Sequence, residues 1–229
     1  MLDLSHLSYN LLTVMAAKII DGKLMCDFEL AIINACKKVY PGVPPSGCFF
    51  HLGQSLYGRV QTEGLQVQYS DPDDRTIKDF IHAMLALVFV PKCDVLRTFD
   101  QLKATCPAPA LLVMQYFEQT YVRGRPGRGR RPAVAPRYNP DLWNHFGSAL
   151  NKSHRTNNAS EGWHNRFRIV VGKHHPDLYS ALDEFQNEQG YVEVCIAELA
   201  LGKRVKVAPK RKWVELQERI QGIAEQYDT

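Results

Sequence analysis

A chain of 229 residues, 45% hydrophobic and 23% charged, is long enough to bury a genuine core as one large domain or two small ones. No run approaches the roughly 18 apolar residues of a membrane span, and the opening MLDLSHLSYN has neither a basic segment nor a small-residue cleavage site, so no membrane or secretory route is expected. The formal charge of +4 is modest, so any case for nucleic acid rests on where the basic residues lie.

Leu7, Leu11, Leu12, Met15 and Ile19 recur at helical spacing, which predicts a helix over 4–19 stopped by Asp21-Gly22. Lys23 to Cys26 reads as a short apolar strand. A helix follows over 28–39 with Ala31, Ile32, Ala35 and Val39 on one face and Pro41 as its stop, and Ser46 to Phe50 reads as a second strand. Strand, helix and strand with short links predict a parallel βαβ unit. Beyond His51 strand signals fade. Helical stripes appear at Ile77, Phe80, Ile81, Met84, Leu85 and Val88, then at Val95, Phe99 and Leu102, then at Leu111, Leu112 and Tyr116. Arg123 to Arg137, RGRPGRGRRPAVAPR, lacks periodicity and reads as a disordered or lid-like loop. Helices resume over 160–171, 177–201 and 212–226. The fold class is α/β and predominantly helical.

The cysteines at 26, 36, 48, 93, 106 and 195 are scattered and form no Cys-x-x-Cys pair, which predicts free thiols in a reducing compartment. Cys48 and His51 have half the spacing of a zinc site, but no second close pair follows, and His154 and His164 would complete one only through the fold. Zinc is therefore not expected. Cys48 is read as packing on the buried strand and His51 as capping or hydrogen-bonding nearby.

Asp27 follows directly on the first strand, and Glu161 sits near the start of a helix after RTNNAS. A carboxylate at a strand end and another on a helix are how phosphoryl-transfer enzymes hold two divalent metals. The plain alternative is that Asp27 caps the following helix. Three basic groups suit a phosphate path better than one: Arg123, Arg125, Arg128, Arg130, Arg131 and Arg137; Arg155, Arg166 and Arg168 around Glu161; and Lys203, Arg204, Lys210 and Arg211. A solvated loop is the competing reading of the first. Trp163 is read as core beside Phe167 and Val170.

CDFELAIINACKKVYPGVPPSGCFFHLGQSLYGRVQ, from Cys26 to Gln61, resembles the Mutator-like element (MULE) transposase segment in which an aspartate starts a helix and a Cys-x-x-His pair follows a short strand. HRTNNASEGWHNRF, from His154 to Phe167, resembles that family's later block, where Asn157 and Asn158 precede a glutamate and His164 follows it. LALVFVP, QYFEQTYV and PDLWNHF resemble the helical insertion between them.

The resemblance implies a truncated ribonuclease-H-like core over 1–64, a helical insertion over 65–152, core-completing helices over 153–201, and a basic segment with a last helix over 202–229. It implies that Asp27 and Glu161 match the second and third members of an Asp-Asp-Glu metal triad. The first aspartate has no match, since only Asp3 and Asp21 precede Asp27. Mg²⁺ or Mn²⁺ is the family's metal, expected here to bind weakly or not at all. DNA is the implied partner, together with a chain or N-terminal segment that completes the sheet, and the nucleus is the implied location. Three function classes stay open: an inactive transposase-derived fragment, a host-retained DNA-binding regulator, and an active enzyme whose first aspartate comes from elsewhere.

Overall fold

The computed structural model describes residues 17–20, 22–153, 155, 156, 162, 169–172, 177–203 and 211–227. These residues are mostly helical, with one three-stranded sheet. The chain divides into two compact units, Met1–Asn157 with Arg219–Thr229, and Asn158–Glu218. The core of the first unit runs without a break from strand residue Leu24 to Trp143, through both the predicted βαβ region and the predicted insertion.

The sheet is built from β1 (Ala17–Ile20), β2 (Lys23–Cys26) and β3 (Pro45–Gly47). β2 is the central strand, antiparallel to β1 with Ile20 opposite Lys23, and parallel to β3 with Cys26 opposite Gly47. Residues 17–19 belong to a strand rather than to the end of a helix; the rest of the predicted helix, 4–16, lies outside the described residues. The reason is written in the chain: Asp21-Gly22 is a favoured two-residue hairpin link, and Gly22 takes the positive φ of +73° such turns need. The dipeptide that can stop a helix can equally reverse a strand.

α1 (Leu30–Val39) links β2 to β3 and buries Ile33 and Cys36, so its inward face is turned away from the predicted Ala31/Ala35 stripe. β3 ends at Gly47. Phe49 and Phe50, predicted as strand, instead open α2 (Phe49–Thr62), which buries Leu52, Leu56 and Val60 at successive turns. α3 (Gln66–Ser70), α4 (Thr76–Ala86) and α5 (Val95–Ala104) follow, and Ile77, Phe80, Ile81, Met84, Val95 and Phe99 are buried on the predicted stripes.

α6 (Leu111–Phe117) buries Val113, Met114 and Phe117 and leaves Leu111 and Leu112 exposed, the reverse of the expectation. It runs into a π-helical turn, Glu118–Val122. α7 (Pro140–Trp143) and α8 (Phe146–Leu150) complete this part. Its centre is a column of rings in which Phe99 stacks near Phe117, Phe117 near Tyr121 and Tyr121 near Tyr138, at centroid separations of 6.4, 5.3 and 5.6 Å. Fully buried Trp143 closes it and donates its indole N–H to the Tyr121 carbonyl at 2.9 Å.

Residues 123–137 are an irregular hairpin rather than a disordered loop. Arg125 and Val134 exchange both backbone hydrogen bonds at 2.8 and 2.9 Å, as do Arg128 and Arg131 at 3.0 and 3.1 Å. Gly124 makes the hairpin possible, because at φ +79° a Cβ would meet the Val134 carbonyl oxygen at 2.0 Å. Nothing in hydrophobic periodicity reports a hairpin held by backbone bonds alone.

In the second unit, α9 (Leu178–Ala200) starts where predicted, with the Asp177 carboxylate accepting from Ser180 N–H at 2.9 Å. α10 (Arg211–Tyr227) has residues 211–218 in the second unit and 219–227 in the first. Among the described residues no helix is long and apolar enough to cross a membrane.

Candidate functional site

β2 and β3 run parallel and end level with each other, and the Cys48 N–H donates to the Cys26 carbonyl at 2.9 Å just past both ends. Asp27 leaves the end of β2, and His51 leaves the first turn of α2, which follows β3 directly. Both therefore stand at the carboxyl ends of the strands, where open α/β sheets place their ligands. His51 Nδ1 lies 2.9 Å from Asp27 Oδ1, and both side chains keep solvent contact, at 25% and 37% exposure. Asp27 is not the cap of α1, because the N-cap position falls on Glu29.

The thiols behind this pair are core. Cys26, Cys36 and Cys48 are fully buried and free. Burial, reinforced by the neighbouring Cys36, pushes the Cys26 thiol up to about 12. Cys48 is buried just past β3, at the N-cap of α2. Among the described residues no three of His, Cys, Asp and Glu are grouped so as to hold a metal ion. By themselves they do not make a two-metal site.

Beside its buried stripe, α2 carries a polar row at four-residue spacing: His51, Ser55 and Arg59. His51 meets Asp27. The Ser55 hydroxyl is 2.9 Å from the Tyr116 hydroxyl and 2.7 Å from that of Tyr121. The Arg59 guanidinium lies over the Tyr116 ring at 5.3 Å and pairs with Glu63 at 2.6 Å. On the strand side Phe28, next to Asp27, sits edge-on to Tyr121 and Tyr138, and its backbone carbonyl accepts from the Tyr138 hydroxyl at 2.5 Å. Sequence reasoning missed Phe28, Ser55, Tyr116, Tyr121 and Tyr138. The spacing from His51 to Ser55 was readable, but the tyrosines that meet Ser55 come from more than 60 positions away.

The predicted cations divide by environment. Arg123 is committed to the protein, with its guanidinium forked onto the Asp100 carboxylate at 2.6 and 2.7 Å and lying over the Phe99 ring. Arg125, Arg128, Arg130, Arg131 and Arg137 are exposed on the hairpin and make no ion pair among the described residues. Arg155 is half-buried, stacks on Phe89 at 5.4 Å and gives its carbonyl to the Phe49 N–H; burial lowers its affinity for the proton. Lys203 and Arg211 pair with Glu198 and Glu215 within their own segments. Asn157, Asn158, Glu161, Trp163, His164, Arg166, Arg168, Arg204 and Lys210 lie outside the described residues.

No protein-family model, curated protein or solved structure gives a significant match to this chain.

Proposed function

We propose that this protein is a DNA-binding protein of MULE-transposase type, in which β2, α1 and β3 are the remnant of a ribonuclease-H-like core. Asp27 and Glu161 are two of the three carboxylates such a core would use. The observation that carries the reading is the approach of Asp27 and His51 at the carboxyl ends of two parallel strands. Each residue stands in a motif that resembles the family's.

Five exposed arginines of the hairpin, without an ion pair among the described residues, support the DNA-binding half of the reading, since guanidinium groups not held by a carboxylate are available to phosphates. The proposal includes a nuclear location. It also includes catalytic incompleteness: β1 lies beside β2 with the sequence AKII and brings no acid to it. An active enzyme would draw its first aspartate from another segment or a partner chain.

Two measurements test this. Duplex affinity should fall steeply with salt and depend little on sequence, and replacing Arg125, Arg128, Arg130, Arg131 and Arg137 with Gln should flatten the salt dependence. An absence of duplex binding at low salt would end the reading. Supercoiled DNA with Mg²⁺ or Mn²⁺ should stay intact. Metal-dependent nicking lost in both Asp27→Ala and Glu161→Ala would show instead that another acid completes the site.

A further inference from the structure

Between the βαβ region and the hairpin lies an open cleft of about 450 Å³, with Phe28, Ser55, Tyr116, Thr120, Arg125 and Arg137 among its lining residues. The volume falls in the range of small-molecule sites rather than of packing defects. Two of its lining residues are chain neighbours of the candidate pair. Phe28 is the residue after Asp27, and Ser55 is one helical turn beyond His51 on α2.

Three features keep the cleft open and polar at selected points. Phe28 cannot fold down into it, because its ring is pressed against Gly47, where a Cβ would come within 2.5 Å of the ring. The π-helical turn puts Thr120 and Tyr121 side by side on the wall, and such turns are frequent at functional sites. The rim carries Arg125 and Arg137, both exposed and without an ion pair among the described residues. The walls therefore offer half-buried aromatic surface from Phe28 and from the side of Tyr116 that Arg59 does not cover, the Thr120 hydroxyl, the Ser55 hydroxyl already shared with Tyr116 and Tyr121, and positive charge only at the mouth.

We propose that this cleft receives one unpaired nucleotide of a DNA strand, with the base against Phe28 and Tyr116 and the adjoining phosphates against Arg125 and Arg137. The inference rests on the DNA-binding reading above and deepens it. Aromatic surface accepts any base that has left the stack, the Thr120 hydroxyl meets its edge, and the rim cations meet its backbone. A paired base presents neither its face nor its hydrogen-bonding edge to such a cleft.

The test compares three duplexes by fluorescence anisotropy: fully paired, with one unpaired base in one strand, and with an abasic site at the unpaired position. The expected result is roughly tenfold tighter binding of the unpaired base than of either control. 2-Aminopurine at that position should be quenched on binding. Ala135 is an exposed residue of the cleft wall, and Ala135→Leu, which adds bulk without removing a core side chain, should abolish the preference in a chain shown to be folded by circular dichroism.

Equal affinity for all three duplexes would overturn the proposal and leave the DNA-binding reading standing. A preference that persists in Ala135→Leu would likewise overturn it, by placing the unpaired base elsewhere. Binding to none of them would overturn both.

Discussion

Residues 22–62 and residues 111–145 both contribute to the cleft, but different forces place them. In the first region each element is positioned by its neighbour in sequence: a two-residue link, a short helix and a parallel strand pair bring Asp27 and His51 together within 25 positions. In the second, the wall is positioned by contacts over long stretches of chain. Tyr116 and Tyr121 reach Ser55 across 61 and 66 positions, Tyr138 reaches Phe28 across 110, and His145 reaches Gly47 across 98. A pair of local origin thus stands beside a wall of non-local origin, joined to it through Phe28 and Ser55. The wall should tolerate perturbation less well than the locally placed pair.

Trp143→Ala should have the largest effect. It removes the end of the ring column and leaves the Tyr121 carbonyl without its indole donor, and large aromatic deletions cost about 3 to 5 kcal/mol. Urea denaturation would measure it. If the two regions share one cooperative core, amide exchange should accelerate at Leu24 to Cys26 as well as at Val113 to Phe117. Acceleration confined to the second region would separate them.

Next comes the clamp between the regions. Buried His145 holds the Gly47 carbonyl through Nε2 at 2.9 Å, and burial, together with the charges of Lys23 and Arg155, pushes its pKa down to about 4. The unfolded chain protonates this histidine near 6.5. Between those values the unfolded state binds more protons, so the contribution is present above about 6.5 and is lost as pH falls towards 4. The full loss is on the order of 3 kcal/mol, because each pH unit separating the folded from the unfolded pKa corresponds to about 1.4 kcal/mol. Unfolding free energies at pH 7 and pH 5 should differ in the parent chain and differ less in His145→Gln.

Gly124→Ala tests the hairpin by itself. A positive φ and a Cβ driven onto the Val134 carbonyl should destabilise it by on the order of 1 to 3 kcal/mol. The damage should appear as proteolysis within 123–137 before any change in the sheet. The smallest expected effect is at the pair itself. Asp27→Asn removes one partner of a solvent-exposed contact and should shift stability by less than about 1 kcal/mol. A larger loss in thermal denaturation would mean that Asp27 holds the fold together rather than serving a site.

By itself the sequence determined the βαβ order, the helices of residues 76–104, and the place of Asp27 and His51 at neighbouring strand ends. Each of these follows from patterns within a few turns of chain, where spacing decides geometry. Only the tertiary structure decided which face α6 buries, because Leu111, Leu112, Val113, Met114 and Phe117 offer an apolar residue in nearly every direction and period alone selects none. It also decided that residues 17–20 join the sheet, since a strand of four residues acquires its hydrogen bonds only from β2 beside it. The hairpin of residues 123–137 and the aromatic wall belong to the same class. Their order comes from backbone bonds across the hairpin and from hydroxyl contacts between residues far apart in the chain, and neither leaves a periodic trace in the residues that make them.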